Sequence, residues 1–197
     1  RLRFTGGEPF VRKGFVSFLQ EIRQKFPSIG VAVTTNGAFL EQDVSTLSAL
    51  GLHSVNVSLD TLNPKKFAEI TRTGELGKVL RGISGLVAKR GVPVKVNTVV
   101  MRDFNFDEIP ELVRFAEDNG VLLRFIEFMP LDKDVWSNRQ YVSASEILSF
   151  LPDAVQWSPL PRSSDIEPNM CTVIPNGPAK YFRNAKTGQD IGIISAV

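Results

Sequence analysis

Two kinds of residue in this chain could do chemistry. One is a turn of glycines and a carboxylate, and the other is a set of basic side chains spaced along apolar strands. The turn is Thr5-Gly6-Gly7-Glu8-Pro9, which follows the extended run Arg1-Leu2-Arg3-Phe4. Gly6 and Gly7 carry no β-carbon, so a ligand can lie directly on their backbone. Their carbonyls can accept hydrogen bonds from an ammonium group, and Glu8 adds a charged acceptor. Pro9 suits a helix entry, where its missing N–H is not needed. The plain alternative is an ordinary strand-to-helix bend.

The basic residues emerge from strand parity. Leu2 and Phe4 alternate with Arg1, Arg3 and Thr5, and Val94 and Val96 alternate with Lys95 and Asn97. Val55, Val57 and Leu59 alternate with Ser54, Asn56, Ser58 and Asp60, while Thr34 and Asn36 share a side with Ala32. A parallel strand buried on both faces is almost continuously apolar. Here one face packs on helices and the other is polar and basic. Arg3 and Lys95 pointing inward are costly unless paired. Either a polar, partly wet lumen holds an anionic ligand such as a phosphate ester, or Asp60 and Glu8 pair with them as structural ions. Arg124 falls by parity opposite Glu127 and Met129, so a bulge is needed for all three to reach one site.

The elements that position these residues alternate. A helix is expected over Lys13–Phe26, with Phe15, Phe18, Leu19, Ile22 and Phe26 as a core-facing stripe. Strands follow at Val31–Gly37, Ser54–Asp60, Val94–Met101 and Leu122–Met129, with helices near Gln42–Leu50, Lys65–Thr71, Leu76–Lys89 and Asp107–Asn119 between them. Strand–helix alternation argues for parallel β/α units, whose carboxyl ends line one rim where ligands bind. Beyond Pro130 the texture changes. A helix capped by Ser143 or Ser145 precedes a Pro- and Ser-rich excursion from Pro152 to Pro178, and AKYFRN and DIGIISAV form a closing hairpin. The division expected is residues 1–130 as a partial barrel and 131–197 as a C-terminal extension.

Composition sets limits. The 197 residues are 43% hydrophobic and 22% charged, enough for one good core, and a net charge of +2 does not argue for nucleic acid. No apolar run approaches the roughly 18 residues of a spanning helix. Cys171 is the single cysteine, so it forms no internal disulfide and cannot hold a cluster alone. His53 reads as a surface or packing residue, and Lys65-Lys66 and Lys89-Arg90 read as solvated helix faces. The chain lacks an initial Met and opens within a strand, so it reads as a piece of a longer protein.

TGGEP, TTNG, NVSLD, VKVNTVVMR and RFIEFMP, in this order from Arg1 to Pro130, resemble the GTP 3′,8-cyclase family of molybdenum cofactor biosynthesis, radical S-adenosylmethionine (radical SAM) lyases. The resemblance implies an α/β fold: an incomplete parallel β/α (TIM-like) barrel lacking its first strand, with an irregular C-terminal extension and hairpin. In the family, a reduced [4Fe–4S] cluster cleaves S-adenosylmethionine, and the resulting radical removes a ribose hydrogen from GTP before the sugar carbon bonds to C8 of guanine. By motif, Gly7, Ser58 and Met129 would contact S-adenosylmethionine, and Arg3, Thr34, Lys95 and Arg124 would contact GTP.

The cysteines of the family's two [4Fe–4S] clusters match nothing here, so no metal site and no turnover are expected of this chain alone. The resemblance also implies a reductant, delivery of product to cyclic pyranopterin monophosphate synthase, and no nucleic-acid or membrane partner. The compartment would be the cytoplasm of a bacterium or the mitochondrial matrix of a eukaryote. The open edge at Arg1–Thr5 is expected to pair with a second copy or to leave the chain marginally stable. Alternatives are another radical SAM enzyme, peptide-modifying or of the haem pathway, and a non-catalytic nucleotide-binding remnant.

Overall fold

A computed structural model describes residues 1–72, 74–129, 139–161 and 178–195. Two compact units form, Arg1–Leu59 with Phe67–Val96, and Asp60–Lys66 with Asn97–Val197.

The first unit is a run of parallel strands and their return helices. It holds β1 (Leu2–Phe4), α1 (Phe15–Lys25), β2 (Val31–Thr35), α2 (Leu40–Ala49) and β3 (Ser54–Ser58). It continues through most of α3 (Pro64–Thr71), all of α4 (Leu76–Lys89) and the start of β4 (Val94–Val100). Arg3 pairs with Ala32, Ala32 with Ser54 and Thr34 with Asn56, all in parallel register. On α4, Leu76, Val79, Ile83 and Leu86 recur at helical spacing and are buried. A β-carbon at Gly82 would lie 2.6 Å from Leu40 Cβ, so α2 and α4 meet with no side chain between them there.

One expectation is met only in part in this unit. The helix expected from Lys13 is preceded by a 3-10 turn at Pro9–Val11, and Gly14, at φ 81°, starts α1 afresh at Phe15. The aromatic stripe is therefore only partly core. Phe15, Leu19 and Ile22 are buried, whereas Phe18 and Phe26 remain 48% and 52% exposed. Phe18 meets Phe4 edge-on at 5.6 Å, a contact at the rim of the core.

The second unit holds the rest of β4, α5 (Ile109–Asn119), β5 (Leu122–Glu127), α6 (Ala144–Ser149), β6 (Trp157–Pro159), β7 (Ala179–Asn184) and β8 (Asp190–Ile194). Ser143 caps α6 in a full capping box with Glu146. The expected hairpin is present as β7 and β8, which pair antiparallel, and β8 also lies parallel to β5. The start of the Pro-rich excursion supplies an unexpected strand, β6, paired antiparallel to β7. The rest of that excursion, with Cys171, lies outside the described residues.

The strand order is β1-β2-β3-β4-β5-β8-β7-β6, an α/β sheet that is mostly parallel and ends in an antiparallel hairpin. Among the described residues, no helix is long and apolar enough to cross a membrane.

Candidate functional site

In the first unit, the strand ends present backbone. Gly6 (φ 118°) and Gly7 are exposed, and a β-carbon built on either would meet nothing within 4 Å. Glu8 supports this turn instead of facing a ligand. Its Oε1 accepts from the Phe10 N–H at 3.1 Å and the Thr35 hydroxyl at 2.8 Å, and its Oε2 accepts from the Asn36 N–H at 2.6 Å. The charged acceptor expected for an ammonium group is thus engaged by the end of β2. Gly37 closes that end at φ 81°, where a β-carbon would lie 2.7 Å from Val79 Cγ1. Ser58 ends β3 exposed.

The polar strand face of this unit is more covered than expected. Lys95 is 3% exposed, Asn56 2% and Ser54 4%, although Arg3 is exposed and Thr34 half-buried. The Asn56 amide donates to the Val33 carbonyl at 3.2 Å and to the Thr34 hydroxyl at 3.5 Å. At the start of β3, His53 contacts the Arg1 guanidinium. Burial first, then the charges of Arg1, Lys95 and Arg3, hold the His53 imidazole below its usual range. The basic residues thus create a positive field on this face.

In the second unit, Arg124 is 7% exposed and held by neighbours. Its Nε donates to Asn97 Oδ1 at 2.9 Å, and its side chain hydrogen-bonds the Tyr181 hydroxyl. Burial pushes the Tyr181 phenol up, against the pull of the Arg124 charge. A β-carbon at Gly192 would lie 2.9 Å from Arg124 Cγ and 3.0 Å from Tyr181 Cε1, so glycine leaves room for both. Parity had placed Asn97, but not Tyr181 or Gly192. The signal for Gly192 was a glycine inside an apolar strand, DIGII.

β5 and β8 step residue for residue from Leu123↔Ile191 to Ile126↔Ile194, so this pairing contains no bulge. Arg124 and Glu127 stay on opposite sides of β5. Glu127 accepts from the Ala144 N–H at 2.7 Å, and Met129 is half-buried just past the strand. The ends of the other strands are similarly occupied. Asp60 Oδ1 accepts from the Val99 N–H at 2.8 Å, which opposes the upward push of burial on its carboxyl. Glu108 accepts from the Thr61 hydroxyl at 2.9 and 2.7 Å, from the Leu62 N–H at 2.9 Å, and pairs with Lys66 at 2.8 Å. Glu8 and Asp60, the alternative ion partners for Arg3 and Lys95, thus each accept hydrogen bonds from backbone N–H groups, and Glu8 also from a hydroxyl.

The radical SAM superfamily profile matches residues 1–116. The chain belongs to the radical SAM superfamily. Curated relatives include the GTP 3′,8-cyclase of Peptoclostridium acidaminophilum, 38% identical over 199 residues, covering 100% of this chain and 57% of that protein. The GTP 3′,8-cyclase of Paenarthrobacter nicotinovorans is 42% identical over 168 residues, covering 85% of this chain and 47% of that protein. This radical SAM chain spans about half the length of the curated relatives it matches. Among solved structures, a domain of the pyruvate-formate lyase-activating enzyme from Bacteroides vulgatus superposes with a TM-score of 0.61 at 16% identity, covering 78% of this chain and 94% of that one. Streptococcus suis SuiB bound to S-adenosylmethionine superposes with a TM-score of 0.53 at 20% identity, covering 63% of this chain and 28% of that one. At these identities the two structures support the fold alone.

Membership of this superfamily implies S-adenosylmethionine and an iron–sulfur cluster. The residues present fit the first, because the open Gly6–Gly7 backbone can receive a ligand's amino-acid end without steric conflict. They do not fit the second, since a cluster takes about three or four thiolates and the chain has one cysteine.

Proposed function

We propose that the chain is the central part of a GTP 3′,8-cyclase, the lyase that begins molybdenum cofactor biosynthesis. Gly7 through its backbone, Ser58 and Met129 contact S-adenosylmethionine, while Arg3, Thr34, Lys95 and Arg124 contact GTP. The observation that carries this reading is the coverage of Lys95 and Arg124, 3% and 7% exposed, in a chain related throughout its length to GTP 3′,8-cyclases. Buried cations on strand faces suit a polyanionic ligand; a neutral peptide substrate gives no reason for them. In the full-length protein S-adenosylmethionine would supply hydrogen-abstracting radical chemistry. This chain's residues orient the cofactor at the glycine turn and neutralise the triphosphate. A reductant and cyclic pyranopterin monophosphate synthase act before and after.

The test uses the full-length protein. A charge-assisted hydrogen bond contributes about 1.5–3 kcal/mol, and coverage from solvent limits screening. Lys95→Ala is expected to weaken GTP binding roughly thirtyfold to a hundredfold, near the top of that range. Lys89→Ala, at the exposed end of α4, is the control and changes it less than about twofold. Equal losses in the two variants, or intact GTP affinity in Lys95→Ala, sinks the reading. The chain by itself assembles no cluster and turns over no GTP. Stoichiometric iron and a charge-transfer band after anaerobic reconstitution would overturn that.

A further inference from the structure

The side chain of Glu127 is oddly placed for its type. Along β5, Leu123 and Phe125 are fully covered, and Glu127 follows them by alternation onto the same side at 5% exposure. A carboxylate there is tolerated only with its hydrogen bonds made. Glu127 accepts from the Ala144 N–H at 2.7 Å and from the Tyr141 hydroxyl. Tyr141 lies in the segment that leads into α6, and Ala144 is the first residue of α6.

That segment is itself held at the end of β4. The Arg102 N–H donates to the Gln140 carbonyl at 3.0 Å. Its guanidinium donates to the Tyr141 carbonyl at 3.0 Å and to Glu146 at 2.6 Å. The Glu146 carboxylate also accepts from the Ser143 N–H at 3.0 Å, completing the cap of α6. Residues 140–146 therefore form a braced block. The pairing of β5 with β8 runs only to Ile126↔Ile194. Beyond that point, the Glu127 carboxylate ties the end of β5 to the block, two residues before Met129.

We propose that Glu127 is a positioning residue. It clamps the end of β5 to the Tyr141–Ala144 segment and so sets the place of Met129 against S-adenosylmethionine. The inference rests on the reading of Met129 as a cofactor-lining residue. Its consequence is selective: loosening the clamp disturbs the cofactor and leaves the nucleotide contacts of Arg3, Thr34 and Lys95 unchanged.

The experiment measures S-adenosylmethionine and GTP dissociation constants, with the melting temperature, in the full-length, cluster-loaded protein. Glu127→Ala is expected to weaken S-adenosylmethionine about tenfold and GTP less than twofold. Glu127→Gln keeps an oxygen for the Ala144 N–H and is expected to stay within about threefold of wild type for the cofactor. Tyr141→Phe removes one hydroxyl and is expected to weaken the cofactor about threefold with GTP unchanged. Equal loss of both ligands in Glu127→Ala, or no loss of either in the folded variant, overturns the proposal. If Glu127→Ala does not fold, Tyr141→Phe decides, and wild-type cofactor affinity in it overturns the clamp. Wild-type protein that binds S-adenosylmethionine but not GTP defeats the cyclase reading and leaves this test intact.

Discussion

The strand ends of the two units solve different problems. In the first unit Gly6-Gly7 leave backbone open and Ser58 is exposed, while Gly37 is packed against Val79. That unit's carboxylate, Glu8, lies beneath the open surface, bonded to Phe10, Thr35 and Asn36. In the second unit polar side chains at and just beyond the strand ends tie one segment to another: Asp60 to Val99 of β4, Asn105 to Met101, Glu127 to Ala144, and Arg102 to Tyr141. A ligand can approach the first kind of end closely because it has few atoms to displace. The second kind holds its loops in place because its polar groups already have partners.

The largest effect that can break this comparison is expected at Glu108. Removing a carboxylate that serves Thr61, Leu62 and Lys66 takes an acceptor from the buried Thr61 hydroxyl and from the part-buried Leu62 N–H and Lys66 ammonium. Glu108→Ala should cost about 3 kcal/mol in denaturant unfolding. A loss under about 1 kcal/mol would mean that the second unit's loops are held by something other than these bonds.

Two glycines of the first unit sharpen the comparison. Gly37→Ala adds a β-carbon 2.7 Å from Val79 Cγ1 at a φ of 81°, so it should destabilise by about 2 kcal/mol. Gly7→Ala meets nothing within 4 Å, so stability should move by less than about 0.5 kcal/mol, while S-adenosylmethionine binding in the full-length protein falls. If both substitutions cost the same stability, the Gly6-Gly7 turn is packed and not open.

A smaller effect than those of Glu108 and Gly37, and one that depends on pH, lies at Glu146. Hydrogen bonds from the Ser143 backbone, then from Arg102 and the Ser143 hydroxyl, pull its carboxyl down to about 2. A depressed acid contributes stability above its unfolded value, and that contribution is lost as pH falls from about 4.5 towards 2. The ion pair with Arg102 is 40% and 43% exposed, so solvent screening reduces its share. Glu146→Ala should cost about 1 kcal/mol at pH 7, mostly from the lost cap, and little at pH 2. An equal cost at both pH values would mean that packing, not charge, is what Glu146 supplies.

Much of this arrangement was legible in the chain. Helix α4 runs from Leu76 to Lys89 as expected, because its apolar spacing and the stop at Gly91 agree. Alternation also put Lys95 and Asn97 on one side of β4, and Asn97 does meet Arg124. The misses have local causes. Gly14 interrupts a helical pattern that continues on both sides of it, and periodicity does not register the break. Exposed Phe18 and Phe26 fit the apolar stripe of α1 yet lie at its margin. β6 is three residues long and ends in Pro159, too short and too poor a donor for a period-two signal. Glu8 and Glu127 were visible as charges, but their partners lie 27 and 17 residues away, beyond any local pattern.

The strand order has a consequence for the order of synthesis. β8 is made after β6 and β7, yet it is the strand that lies beside β5, with Leu123 opposite Ile191. A ribosome adding about 5–20 residues per second makes β5 roughly 3–14 s before its partner exists. During that interval Leu123, Phe125 and Ile126 occupy an unpaired apolar edge, the kind of surface that recruits chaperones or other chains. The rate of translation between Glu127 and Asp190 therefore sets how long a growing chain carries that edge.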